Sequence, residues 1–162
     1  MKKSIEIKSA FSCGGRALDY LKQIHCKNVV IVRDREVEQD TDDILQKMKK
    51  DMWEHDVTVA EFSEISSKPV MSEIVSGIAY MKEKKPDIVV AIGSDAAINA
   101  AKIMLVLYEY PEIDFNEITE TDMAGKSLHT RLVVMPASSE SAEEVNQVTT
   151  IMIDSHDICS VL

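Results

Sequence analysis

From Asp87 to Lys102 the chain reads DIVVAIGSDAAINAAK, an uninterrupted apolar run that ends at a glycine and passes directly into small residues at helical spacing. Ile88 to Ile92 show no polar alternation, which predicts a strand covered on both faces, as in a parallel sheet. Ala97, Ala100, Ala101, Met104 and Leu105 recur as one face of a helix, and their small members would let that helix lie close on the sheet. A buried strand that hands over to a helix N-terminus in this way is how α/β domains present peptide N–H groups to an anion.

The same alternation runs through most of the chain. Ser4 to Phe11 alternates like an edge strand, and Gly14 and Gly15 lead into a helix over Arg16 to Ile24 with Ala17, Leu18 and Leu21 as its apolar stripe. Asn28 to Val32 predicts a second buried strand. Thr41 is placed to cap a helix from Asp42 to about Glu54, acidic at its start and lysine-rich later, as the helix dipole prefers. Asp56 to Phe62 predicts a strand, and Pro69 precedes a helix that runs to about Lys84 with Ile74, Val75, Ile78 and Met81 on its buried face. Tyr110 to Thr130 is polar and aperiodic, a long excursion. Arg131 to Met135 and about Thr149 to Asp154 are the last strands. Strands alternating with helices predict a layered α/β domain with a mainly parallel sheet.

Composition narrows the picture. The 162 residues, 45% of them apolar, suffice for one ordinary domain and one core. A formal charge of −10 opposes nucleic acid and anionic membrane as partners. The N-terminal MKKSIEIKSAF lacks the apolar core of a secretion signal, and no apolar run approaches membrane-spanning length, so a cytoplasmic location is expected. Cys13, Cys26 and Cys159 are odd in number and widely spaced, which fits neither a disulfide framework nor a zinc knuckle. His25, His55, His129 and His156 are equally dispersed. His25 and His55 fall near predicted helix ends, where a surface or C-capping role is expected, not metal ligation.

Three predicted strands end at polar or turn-forming residues: Val32 before Arg33 and Asp34, Ile92 before Gly93, and Met135 before Pro136. In an open parallel sheet, ligands gather beyond the carboxyl ends of strands, so these points could meet at one crevice. Asp34 could accept hydrogen bonds from the ribose hydroxyls of an adenine nucleotide, or be a solvated turn residue beside Arg33, and local sequence leaves both readings open.

On these residues the chain resembles the N-terminal, nucleotide-binding half of the iron-containing alcohol dehydrogenases, particularly the propanol and lactaldehyde reductase branch. GSDAAINAAK, Gly93 to Lys102, stands where the family has a strand followed by GGGS, two residues, D, one residue and AK. EISSKPVMSEIVSGIAYMKEKKPDIVVAIG leads up to it in a similar order, VVIVRD ends in the acidic Asp34, and MPASSESAEEV, Met135 to Val145, is similar to the family's PTT-GTGSEV loop over the cofactor phosphates. The resemblance implies a three-layer Rossmann-like fold over residues 1–162, with Asp34, Gly93, Ser94, Asp95, Ala96, Ser138 and Ser139 at the positions that hold NAD.

The differences are as specific as the matches. Ser94 and Asp95 replace two glycines, Ala96 a serine and Asn99 an aspartate, while Lys102 is kept. In the second loop Pro136 and Glu144 match and Ser138 approximates a threonine, but Glu140, Ala142 and Glu143 replace small or hydroxyl residues. Glycines allow positive φ and close approach of backbone to phosphate. Carboxylates in their place repel it by about 1 to 4 kcal/mol at about 4 Å. NAD is therefore expected to be weakly held or lost. The family's metal-binding half follows this region, so no metal and no catalytic residue is expected in this chain. The expected function is a nucleotide-binding domain whose family carries out NAD-dependent alcohol and aldehyde oxidoreduction, inactive as an isolated chain. The alternative is a non-catalytic binding or assembly protein on a degenerate Rossmann-like scaffold. Partners would be a second copy of the chain or a separate metal-binding subunit.

Overall fold

A computed structural model describes residues 2–12, 25–114, 127–136 and 145–154. The elements are β1 (Lys2–Ser12), β2 (Asn28–Asp34), α1 (Gln39–Glu54), β3 (Thr58–Ile65), α2 (Met71–Lys84), β4 (Ile88–Gly93), α3 (Asp95–Glu109), β5 (Arg131–Pro136) and β6 (Val145–Asp154). Strands β3, β2, β4 and β5 form a parallel sheet in that order, with β2 and β4 in its middle. The predicted three-layer α/β fold is present.

The unbroken apolar runs are explained by what lies on each face. Val30, Val32, Val89, Ala91, Leu132 and Val134 point toward α2 and α3, whereas Val29, Ile31, Ile88, Val90, Ile92, Val133 and Met135 pack with Leu45, Met48 and Met52 of α1. Successive side chains alternate between the two faces, so a strand covered on both must be apolar at every position. All six residues of β4 are buried.

The two helices on the first face meet closely. A Cβ at Gly77 of α2 would run into the sulfur of Met104 on α3. This contact corrects the expected face of α2: Met71, Ile74, Gly77 and Met81 are buried, Ile78 is partly so, and Val75 is 56% exposed. The Thr41 cap is also corrected. Glu38 holds the N-cap position of α1 without a side-chain cap bond, and Thr41 lies inside the helix, buried. At the other end His55 is the C-cap, its Nδ1 2.7 Å from the Asp51 carbonyl oxygen, and Asp56 takes positive φ. That turn delays β3 to Thr58, later than its predicted start.

The C-terminal end of α3 and its cap hold residues 127–130 beside them. The Glu109 carboxylate accepts from the N–H groups of His129 at 2.6 Å and Thr130 at 3.2 Å, and the Tyr110 hydroxyl donates to the Ser127 carbonyl at 2.5 Å. The predicted first strand is present as β1, which lies alongside β5 and pairs antiparallel with β6, a strand longer than its sequence signal. The helix expected over residues 16–24 falls outside the described residues.

Candidate functional site

At the carboxyl ends of β2, β3 and β4 lies an open cavity of about 740 Å³ whose lining includes Asp34, Ser66, Ser67, Gly93, Ser94, Asp95 and Ala96. Five predicted site residues thus come together. Ser138 and Ser139 lie outside the described residues. Pro136, the third predicted strand end, sits in register beside Gly93.

The centre of the site is a contact between two strand ends. The Asp34 carboxylate accepts from the Ser94 N–H at 2.8 Å through Oδ2 and from the Ser94 hydroxyl at 2.5 Å through Oδ1. Ser94 Oγ in turn accepts from the Ala97 N–H at 3.3 Å, which makes Ser94 the N-cap of α3. Ser94, and not the adjacent carboxylate of Asp95, is therefore the cap of this helix. Asp95 is the first helical residue, exposed at the cavity wall, because its backbone is already helical and only the preceding residue has the extended conformation a cap needs.

Gly93 has φ +124, and a Cβ there would run into Asp34 Oδ2. The glycine therefore serves the approach of this chain's own carboxylate. In a phosphate-binding turn the same freedom admits a ligand.

Among the described residues the charged part of the wall is mainly acidic: Asp34, Glu36, Glu38 and Asp95 line it together with Arg35, whose guanidinium is 3.8 Å from Glu73. Glu73 also accepts from the N–H groups of Ser66 and Val70, both at 2.7 Å, and so fixes the loop between β3 and α2. Arg33 turns away to Glu61, which also pairs with Lys49. Burial pushes the Glu61 carboxyl up, but its hydrogen bonds and charge pairing with Lys49 and Arg33 outweigh that and hold it below its usual value. Glu36, Glu38, Ser66 and Ser67 were missed from sequence. Ser66 and Ser67 could have been found, since they follow a strand in a sheet whose ligand side is set by strand direction.

Across the whole chain, the sequence model of the family described as iron-containing alcohol dehydrogenase matches residues 10–161. The chain belongs to that family. Aldehyde-alcohol dehydrogenase 2 of Entamoeba histolytica is 30% identical over 106 residues, 60% of this chain and 12% of that protein. The 1-propanol dehydrogenase PduQ of Citrobacter freundii is 29% identical over 103 residues, 64% of this chain and 27% of the relative. An iron-containing alcohol dehydrogenase from Thermococcus thioreducens shares the fold with a TM-score of 0.65 at 22% identity, over 94% of this chain and 44% of that one. A 1,3-propanediol oxidoreductase does so at 0.60 and 17%, over 90% and 38%. The chain spans less than half the length of each of these alcohol dehydrogenase relatives.

Two groups follow from membership of the iron-containing alcohol dehydrogenases, and each can be set against the residues. Among the described residues no three His, Cys, Asp or Glu side chains are grouped to hold a metal ion, so iron has no fitting donor set there. A dinucleotide fits poorly. The Asp34 carboxylate is already engaged through both oxygens, and the turn that would face a pyrophosphate is lined by Asp34 and Asp95.

Proposed function

We propose that this chain is the nucleotide-binding domain of an iron-containing alcohol dehydrogenase in which the crevice persists but the dinucleotide is held weakly, so that the chain alone does not carry out the family's NAD-dependent alcohol and aldehyde oxidoreduction. The carrying observation is the Asp34 carboxylate bound to Ser94 at the turn where the family places its cofactor. Cofactor contacts, where they form, would involve Asp34, Gly93, Ser94, Asp95 and Ala96, with Ser138 and Ser139 of the second loop. The acidic wall sets the magnitude. A like charge at about 4 Å costs about 1 to 4 kcal/mol, or roughly one to three decades in affinity.

We place the protein in the cytoplasm, as one domain over residues 1–162, with a second copy or a separate metal-binding subunit as its partner. No helix among the described residues is long and apolar enough to cross a membrane. The indole of Trp53, 78% exposed on α1, supports a contact surface of this kind.

Calorimetric titration with NAD tests the reading. The original chain should bind at about millimolar strength or weaker, and Asp95→Gly should tighten binding by roughly tenfold through removal of one charge. Micromolar binding by the original chain would overturn the proposal.

A further inference from the structure

Among the described residues β3 pairs only with β2, which leaves it at one edge of the parallel sheet. The Thr58 N–H donates to the Lys27 carbonyl at 2.8 Å, so the backbone groups of Thr58, Ala60 and Phe62 turn toward β2. Those of Val59 and Glu61 alternate with them and face outward. Natural edges of this kind are blunted by proline or by unpaired charge. Strand β3 has no proline, and Glu61 at its middle is neutralised by Arg33 and Lys49.

The surface beside this edge is apolar at its centre and oppositely charged at its ends. Trp53 of α1 is 78% exposed, and two open cavities share Trp53, Val57 and Val59 in their walls. One reaches Lys49 and Lys50, the other Glu54 and Asp56. Because α1 ends at the turn that starts β3, the acidic end lies at the beginning of the strand, and the Lys49 pair with Glu61 sets the basic end farther along it. A second copy laid antiparallel reverses that order and brings the lysines of each chain toward the acidic end of the other. Glu64, exposed near the end of β3, opposes this in part. We propose that the β3 edge is a self-association surface, at which two copies pair antiparallel about a two-fold axis at Ala60. That axis sets Val59 of each chain opposite Glu61 of the other, so the outward-facing groups of both residues find partners. The two parallel sheets become one across the dimer, with both α1 helices on the same face. This rests on the reading of a second copy as the partner and is independent of whether NAD is bound.

Sedimentation at about 0.15 M salt, where exposed charges are screened beyond about 8 Å, should show the original chain as a dimer that dissociates on dilution. Trp53→Ala, at an exposed helix position that leaves the fold intact, should weaken the dimer at least about tenfold. Val59→Pro, which removes an outward N–H from each edge and none of the β2 pairing, should do the same. Ala60→Cys should give a disulfide-linked dimer under mild oxidation, because facing residues of a non-hydrogen-bonded antiparallel pair lie about 4.5 Å apart at Cα. Peptide mapping places that bridge at position 60 and separates it from any bond of Cys13, Cys26 or Cys159. A monomeric original chain overturns the proposal together with the second copy as partner. A dimer that folded Trp53→Ala leaves unchanged, or that Ala60→Cys fails to bridge, overturns the β3 surface alone, since the second copy then binds elsewhere.

Discussion

Asp34 and Asp87 are both aspartates beside central strands, and they stabilise opposite ends of the sheet. Asp34 crosses from the end of β2 to the turn after β4. Asp87, just before β4, crosses back and accepts from the N–H groups of Lys27 at 2.7 Å and Asn28 at 2.9 Å. Those two hydrogen bonds hold its carboxyl below the usual aspartate value of 3.8, with burial opposing them only in part. A lowered folded value stabilises the native state fully above the unfolded value, and that contribution is lost as pH falls through the folded one. Asp87→Asn should therefore cost about 1 kcal/mol at neutral pH, at the low end for a charged hydrogen bond because the group is exposed. The gap should narrow as the pH falls below the usual aspartate value and through the lowered folded one. Urea unfolding of both proteins at pH 7 and near the acid limit measures it. An equal gap at both would assign the effect to shape instead of charge.

At the scale of elements, the helix pair α2 and α3 is held by a close approach at Gly77 and Met104. Valine at position 77 would have to displace a fully buried methionine that has little room to move, since Met104 packs in the core with Ile74, Met81 and Ala100. Gly77→Val should destabilise the protein by about 1 to 3 kcal/mol through overpacking, even though it removes the entropic cost of a mid-helix glycine. The urea midpoint measures it. A variant as stable as the original would mean that the helices can separate freely. The periodicity of α2 concealed this contact. Val75 is as apolar as Ile74 and stood on the predicted buried face, but a glycine carries no apolar signal, although the Met104 side chain of the neighbouring helix packs against it.

For the whole molecule, the charge of −10 is the dominant long-range term. Local pairs such as Arg33 and Lys49 with Glu61 offset it only where they stand. Self-repulsion destabilises a compact state. Raising ionic strength from about 0.01 M to about 0.15 M shortens the screening length from about 30 Å to about 8 Å. The thermal midpoint at neutral pH should rise by a few degrees over that range, read by circular dichroism. A fall would show that ion pairs, which salt also weakens, contribute more than the net charge.

The sequence by itself determined the sheet. Strands buried on both faces leave an unbroken apolar record, as in Val29 to Val32 and Ile88 to Ile92, because no position on them faces water. It also determined which end of that sheet holds the candidate site, since Asp34 and Gly93 close their strands and the order of strand, turn and helix sets the direction. Only the tertiary structure decided what those residues do. That Asp34 reaches Ser94, that Gly93 is open to admit a carboxylate, and that Ser94 instead of Asp95 caps α3 all depend on contacts sixty positions apart or on backbone angles. The pairing of β1 with β6 spans still more of the chain. Periodicity records how each segment meets solvent or core, whereas a hydrogen bond between two strand ends depends on the relative placement of both strands and leaves no pattern in either one alone.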